Sequence, residues 1–104
     1  MRELPKTVKE LKKRHPEIWE AHERLSDACA GAGPLDGKTA LLIKVGIAAA
    51  SGKRTPLATH IRSAIEGGAS PEEVEHAILL TATTQGLSTM MRALKEWESV
   101  LSSP

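Results

Sequence analysis

Apolar residues recur along this chain at the spacing of an α-helix, and no long segment alternates apolar with polar residues as strands do. One stripe consists of Ile18, Trp19, Leu25 and Cys29, and another of Met90, Leu94, Trp97 and Leu101. Residues three, four or seven positions apart lie on one face of a helix. The pattern therefore predicts an all-α protein.

Helix start and stop signals divide this pattern into about five to six helices. Ser70-Pro71-Glu72-Glu73 is typical of a capping box, and Gly67-Gly68 ends the helix before it. Thr55 followed by Pro56 predicts the cap and first residue of that earlier helix, and the helix after Ser70 is expected to run to about Gln85. We predict a single domain over residues 1–104, with a short basic helix in 1–15 and a helical core over 16–102.

The segment ALLIKVGIAAA, residues 40–50, carries Lys44 as its one charge and is apolar on all sides. A helix of this kind is normally buried on all sides. A chain of 104 residues offers little protein to surround it. The segment therefore predicts a homo-oligomer, in which a second subunit covers part of this helix.

Charge and cysteine content narrow the class of protein. Residues 1–15 hold six Lys or Arg against two glutamates, a net charge of +4, which we interpret as a solvated helix face with no nucleic-acid partner. The single cysteine, Cys29, excludes an internal disulfide. No apolar run is long enough to span a membrane and the N-terminus has no apolar signal core, so we expect a soluble cytoplasmic protein without membrane contact.

His60 is the strongest candidate for a functional residue, because it lies at the edge of an apolar stripe that does not require it. The next helix carries Thr81, Thr84 and Gln85 on the side expected to face inward. Polar groups on a buried side need partners, so one prediction is a small polar pocket shared by these residues, His60 and Lys44.

A structural interpretation of the same residues stays open. The threonines could bond to carbonyl groups one turn earlier, and His60 could be an ordinary residue at the rim of the core. The Lys44 stem could pack while its ammonium extends to water. His15, His22, His60 and His76 lack the spacing of a metal site, so we expect neither a metal nor a cofactor.

The segments LDGKTALLIKVGIAAASG and THIRSAIEGGASPEEVEHAILL resemble the carboxymuconolactone decarboxylase and alkylhydroperoxidase D superfamily over roughly residues 17–100. The resemblance implies an all-helical bundle that assembles as a trimer or hexamer through helices matched by residues 37–51 and 56–66. It also implies a functional role for the histidine that matches His60.

The chain departs from the peroxidase members of that superfamily. Their Cys-x-x-Cys pair falls on Lys53 and Pro56, and their glutamate falls on Leu41. The decarboxylase members also lack the cysteine pair and keep a histidine, although their aromatic-glycine-x-proline turn is absent from residues 84–88.

The resemblance therefore implies a protein that binds or acts on a small organic acid or lactone near His60. Lys44 or a nearby arginine could hold its carboxylate. One alternative is a non-catalytic oligomer that binds a ligand or partner on the same scaffold. Another is a peroxidase that uses Cys29. Whether the chain is an enzyme stays open at this point.

Overall fold

The computed structural model describes residues 6–102, without the side chains of Arg54 and Thr55. It contains seven helices in this range: α1 (Lys6–Arg14), α2 (Pro16–Ala30), α3 (Gly37–Ser51), α4 (Arg54–Glu66), α5 (Pro71–Leu79), α6 (Ala82–Gln85) and α7 (Leu87–Ser102). No strand occurs among the described residues, so the predicted all-α class is confirmed.

The predicted helix from Ser70 to Gln85 is wrong in one respect, because it is interrupted after Leu79. The amide of Thr81 donates to the carbonyl of Ile78 at 3.0 Å, and the Thr81 hydroxyl donates to the same oxygen at 2.7 Å. Bonding to a carbonyl three residues back tightens the turn and breaks the α-helical ladder. The result is six helices of nine or more residues and the single turn α6.

Side chains cap the starts of two helices, and the second of these caps is the capping box predicted at Ser70. The Asp36 carboxylate accepts the amide of Thr39 at 2.8 Å at the start of α3. The Ser70 hydroxyl accepts the amide of Glu73 at 3.1 Å, and the Glu73 carboxylate accepts the amide of Ser70 at 2.9 Å. The predicted cap at Thr55 is wrong, because α4 begins at Arg54 and Lys53 occupies its N-cap position without a side-chain capping bond.

The chain divides into two units, one containing α1 and α2 and the other beginning at Leu35. In the first unit Val8, Leu11 and Trp19 are half-buried, and the Lys12 ammonium lies 5.2 Å from the centre of the Trp19 ring. No residue of α1 or α2 is fully buried. The single domain expected over residues 1–104 stays a prediction.

The hydrophobic core of the described residues belongs to the second unit, where α3 packs against α4, α5 and α7. Its completely inaccessible residues come from α3, α4 and α5, and Trp97 of α7 closes the core at 3% exposure. They are Val45, Ile61, Ala64, Val74 and Ile78.

Helix α3 is not covered on all sides within the chain. Ile43 and Ile47 are 45% and 65% exposed, whereas Val45, Ala48 and Ala49 are buried. Helix α3 thus carries more apolar surface than a single copy of the chain buries. No helix among residues 6–102 is both long enough and apolar enough to cross a membrane.

Candidate functional site

Helix α3 presents two different flanks to its neighbours, and each flank borders a groove. Lys44, Ala48 and Ser51 lie on the flank next to α4, at spacings of four and three residues. Ile43, Gly46 and Ala50 lie on the flank next to α5. These spacings define two separate faces of one helix, so the side chains on one flank do not reach the other.

The groove between α3 and the start of α4, here called the His60 groove, has a volume of about 250 Å³. Its lining consists of Lys44, Ile47, Ala48, Ser51, Lys53, Pro56 and His60. Two ammonium groups and one imidazole thus share a groove that has no aspartate or glutamate in its lining. Such a surface favours a small anion.

The short connection between α3 and α4 positions Lys53 in this groove. Gly52 ends α3 in the left-handed conformation, with φ at 75°, which glycine adopts without the strain that a side chain would impose. The Lys53 amide donates to the Ser51 hydroxyl at 3.3 Å, and that hydroxyl donates to the Ala48 carbonyl at 2.7 Å. These bonds fix the backbone at Lys53 relative to the end of α3.

His60 is half-buried one turn into α4. Partial burial lowers its pKa below the ordinary value of 6.5, and the positive charge of Lys44 lowers that pKa further. Both effects disfavour the imidazolium, so His60 is mostly neutral at pH 7. A neutral imidazole can accept a proton from a bound molecule, and its remaining N–H can donate a hydrogen bond.

The second groove lies between α3 and the segment from α5 to α6, and we call it the Thr84 groove. It has a volume of about 480 Å³. Its lining consists of Thr39, Leu42, Ile43, Gly46, Ala50, Glu73, His76, Ala77, Leu80, Thr81 and Thr84. Apolar side chains dominate this lining. The charge of Glu73 is paired there with the Lys38 ammonium at 2.9 Å.

The structure thus brings the predicted site residues together in two sets. Lys44 and His60 share the His60 groove, as the sequence predicts. Thr81 and Thr84 line the other groove, because they face the opposite flank of α3. Gln85 is exposed and is absent from the lining of both grooves. Neither of these two grooves of the described residues therefore contains all five residues.

The threonine hydroxyls are used within their own helices. Thr81 is only 4% exposed, and its hydroxyl donates to the Ile78 carbonyl. The Thr84 hydroxyl donates to the Thr81 carbonyl at 3.4 Å. These bonds match the structural interpretation, in which threonines bond to carbonyls one turn earlier and need no ligand.

Two residues that line the grooves, Lys53 and His76, carry no signal of a binding role in the sequence. Lys53 stands where the peroxidase members have a cysteine, and His76 lacks the spacing of a metal site. Lys53 lies two residues after the end of α3, next to Gly52. Sequence spacing alone did not show that this turn folds back beside Lys44.

Cys29 is an exposed free thiol on α2, in the first unit. Among residues 6–102, no three His, Cys, Asp or Glu side chains are grouped closely enough to hold a metal ion. The basic side chains of the His60 groove offer electrostatic binding of an anion, and its imidazole offers proton transfer.

Comparison with known proteins identifies the family. The chain is 27% identical over 94 residues to an uncharacterized protein of Methanocaldococcus jannaschii, and the match spans 89% of this chain and 90% of that protein. The sequence profile of the carboxymuconolactone decarboxylase family matches residues 16–99, close to the range over which the sequence resembles that superfamily. That match covers α2 to α6 completely and α7 as far as residue 99. The chain belongs to the carboxymuconolactone decarboxylase family.

Proposed function

We propose that this chain is a carboxymuconolactone decarboxylase-like protein that binds a small organic acid or lactone in the His60 groove and acts on it without thiol chemistry. The observation that carries the proposal is the shared lining of Lys44, Lys53 and His60. The lysines bind the anionic part of the ligand. His60, held mostly neutral, takes a proton from the bound molecule as a general base.

The lysines and the lowered pKa of His60 support each other in this mechanism. A general base must be unprotonated before it acts, and a cation beside an imidazole keeps it so. An anionic ligand would weaken that effect when it binds, because its charge offsets that of Lys44. The imidazolium formed by proton transfer is then stabilised by the same ligand charge. A positioned base of this kind contributes roughly 10²–10⁴-fold to a rate.

Substitutions of two histidines, one in each groove, test the proposal. His60→Gln removes the base from the His60 groove, and His76→Gln changes an exposed histidine of the Thr84 groove. Binding is measured by calorimetry, and turnover by product analysis, against a panel of small carboxylic acids and their lactones. We expect His60→Gln to stay folded but to lose turnover, with weaker binding, and we expect His76→Gln to match the unaltered protein.

The outcomes distinguish the proposal from its alternatives. Binding without turnover in the unaltered protein favours the non-catalytic scaffold. A His60→Gln variant that melts at a markedly lower temperature, while ligand binding and turnover persist, makes His60 a structural residue. Peroxide reduction that is lost on Cys29→Ala supports the thiol alternative, although a disulfide-forming cycle needs a second thiol and this chain has one cysteine.

Self-association is the second part of the proposal. The exposed apolar residues Ile43 and Leu80 lie beside Gly46 and Ala50 in the Thr84 groove, where small residues allow a second helix to approach closely. We therefore assign this groove to contact between copies of the chain, in a homo-oligomer such as a trimer or hexamer. Cytoplasmic location and the absence of nucleic-acid and membrane partners stay predictions.

A further inference from the structure

The side chain of Arg92 reaches from α7 to the turn that joins α3 to α4. A Cβ atom placed on Gly52, at the end of α3, would lie 3.1 Å from the Nη1 atom of Arg92, so the guanidinium packs directly beside this glycine. We propose that Arg92 is a positioning residue that holds this turn and thereby keeps Lys53 in the His60 groove. This inference rests on the proposed function, since Lys53 is one of the two lysines assigned there to the anionic part of the ligand.

Lys53 is the residue through which α7 influences the His60 groove. It lines that groove together with Lys44 and His60, and it also lines a small gap on the α7 side of the turn together with Arg92. The gap has a volume of about 10 Å³, which is at the lower limit for one water molecule. The turn is therefore packed against α7 on one side and borders the His60 groove on the other.

Arg92 supplies a cation that α3 lacks at its own C-terminus. The last turn of α3 contains no basic residue, although the carbonyl groups at a helix end carry a partial negative charge. Gly52 is the C-cap residue of α3, so the guanidinium beside it lies at this negative end. Attraction between the guanidinium and the helix end adds to the packing and favours the observed position of the turn.

The hydrogen bonds within the turn leave part of the restraint on Lys53 to contacts from outside. The Lys53 amide donates to the Ser51 hydroxyl at 3.3 Å, and the Gly52 amide donates to the Ala49 carbonyl at 3.4 Å. Both distances exceed the range of about 2.7–3.2 Å that is typical of such bonds. Lys53 also forms no side-chain capping bond at the start of α4. Contact with Arg92 therefore adds a restraint that the turn does not supply by itself.

A cation near a binding groove can also attract an anion directly, and the two roles of Arg92 are separable. Direct attraction does not depend on Lys53, whereas a positioning residue has no effect on binding once the Lys53 charge is removed. The combination of Arg92→Gln with Lys53→Gln therefore distinguishes them. Arg92→Lys keeps the charge and serves as the rescue variant. Lys95→Gln is the matched control, because Lys95 is an exposed cation of the same helix outside both linings.

Amide hydrogen exchange, measured by NMR on the full chain, reports the restraint on the turn without any ligand. The amides of Gly52 and Leu57 donate to backbone carbonyls on either side of the turn. Arg92→Gln should raise both exchange rates by about two- to fivefold, the change expected when a cation is lost from a helix C-terminus. Arg92→Lys should restore both rates. The Val74 amide, in the first turn of α5, should keep its rate in every variant.

NMR titration of the full chain with propionate, a small organic acid, measures binding. Lys53→Gln should weaken binding about fivefold, the effect of losing a unit charge about 4 Å from a carboxylate in water. Arg92→Gln should weaken it by about two- to fivefold, and Arg92→Lys should restore it. When Lys53→Gln is already present, Arg92→Gln should cause no further loss. Lys95→Gln should bind like the unaltered protein.

Each other result contradicts the inference. An equal loss of affinity on Arg92→Gln with and without Lys53→Gln shows direct attraction and overturns the positioning role. Unchanged exchange at Gly52 and Leu57 overturns it as well, and equally faster exchange at Val74 shows that Arg92 stabilises the whole fold. If the unaltered protein binds neither propionate nor any acid or lactone of the wider panel, the proposed function fails together with the role of Arg92 in binding. The exchange rates then still decide whether Arg92 holds the turn.

Discussion

His60 shows how one residue combines the packing and the chemistry of the site. It belongs to α4, whose buried residues Leu57, Ile61 and Ala64 face the core, and it lies beside them without being fully buried itself. Partial burial and Lys44 both act against its charged form. The same arrangement that lowers the pKa of the imidazole also makes the stability of the fold depend on pH.

The direction of that dependence follows from the lowered pKa. In the unfolded chain His60 takes up a proton as the pH falls through 6.5, whereas in the folded chain it does so only at lower pH. Between these two values the unfolded state binds more protons, so the free energy of unfolding decreases as the pH falls. Above about 6.5 the residue makes no pH-dependent contribution, and below its folded pKa the loss is complete.

We therefore expect His60→Gln to flatten the acid side of the stability profile. The measurement is urea unfolding at several pH values between about 5 and 8, for the unaltered protein, His60→Gln and Lys44→Gln. Lys44→Gln should reduce the slope in part, because it removes the second cause of the shift and leaves the first. Parallel profiles for the unaltered protein and His60→Gln would contradict the assignment.

At the residue scale the sequence predicted which way a side chain faces better than it predicted which groups that side chain contacts. Thr81 was expected to face inward, and it is buried. Its hydroxyl, however, bonds to its own helix, and its groove is not that of His60. Helical periodicity gives the direction in which a side chain points around the axis of its helix. Which neighbouring helix lies in that direction depends on how α4 and α5 pack on either side of α3, and no local pattern encodes it.

The elements of the fold follow from local signals that act over a few residues. Asp36 and the Ser70–Glu73 pair satisfy amides at the starts of α3 and α5, where no carbonyl one turn earlier is available. Signals of this kind are visible in the sequence because both partners lie within one turn. The break between α5 and α6 is not visible in the sequence. A threonine can continue a helix or tighten it, and the outcome depends on which carbonyl the threonine bonds.

The capping box makes a prediction at the scale of the element. Ser70→Ala removes the acceptor for the Glu73 amide at the start of α5, and loss of such a cap typically costs about 1 kcal/mol. For a domain of this size that corresponds to a fall in melting temperature of about 4–8 °C. Differential scanning calorimetry measures the change.

Thr83→Ala is the control for this substitution. Thr83 is exposed, and its hydroxyl donates to the carbonyl of Leu80 at 3.3 Å, at the far end of α5 from the Ser70–Glu73 capping box. We expect its melting temperature to differ little from that of the unaltered protein. A similar fall in both variants would mean that the loss of a hydroxyl, and not the loss of the cap, determines the effect.

At the scale of the whole molecule, the exposed apolar residues are the feature that a single chain leaves unexplained. Ile43 and Ile47 on α3 and Leu80 at the end of α5 are 45%, 65% and 59% exposed. The apolar composition of residues 40–50 predicted this surplus, because a helix that is apolar on all sides needs cover on all sides. Composition does not specify which flank a second copy would cover. The positions of α4 and α5 leave the Thr84 groove open for it.

A pair of exposed leucines tests whether the Thr84 groove is the contact between copies. Leu80 lines this groove and is 59% exposed, and Leu101 near the end of α7 is 57% exposed and is absent from its lining. A charged side chain at the centre of an apolar interface loses its hydration without gaining a partner. We therefore expect Leu80→Glu to dissociate the oligomer and Leu101→Glu to leave it assembled.

Sedimentation velocity at micromolar protein concentration measures the outcome. The unaltered protein should sediment as an oligomer, since a specific interface buries more than about 1,000 Å² and persists at such concentrations. Leu80→Glu should sediment as a monomer that keeps its helices by circular dichroism, because Leu80 lies outside the hydrophobic core of Val45, Ile61 and Trp97. A monomeric unaltered protein would refute self-association. An oligomer disrupted by Leu101→Glu and not by Leu80→Glu would place the contact on α7, away from the Thr84 groove.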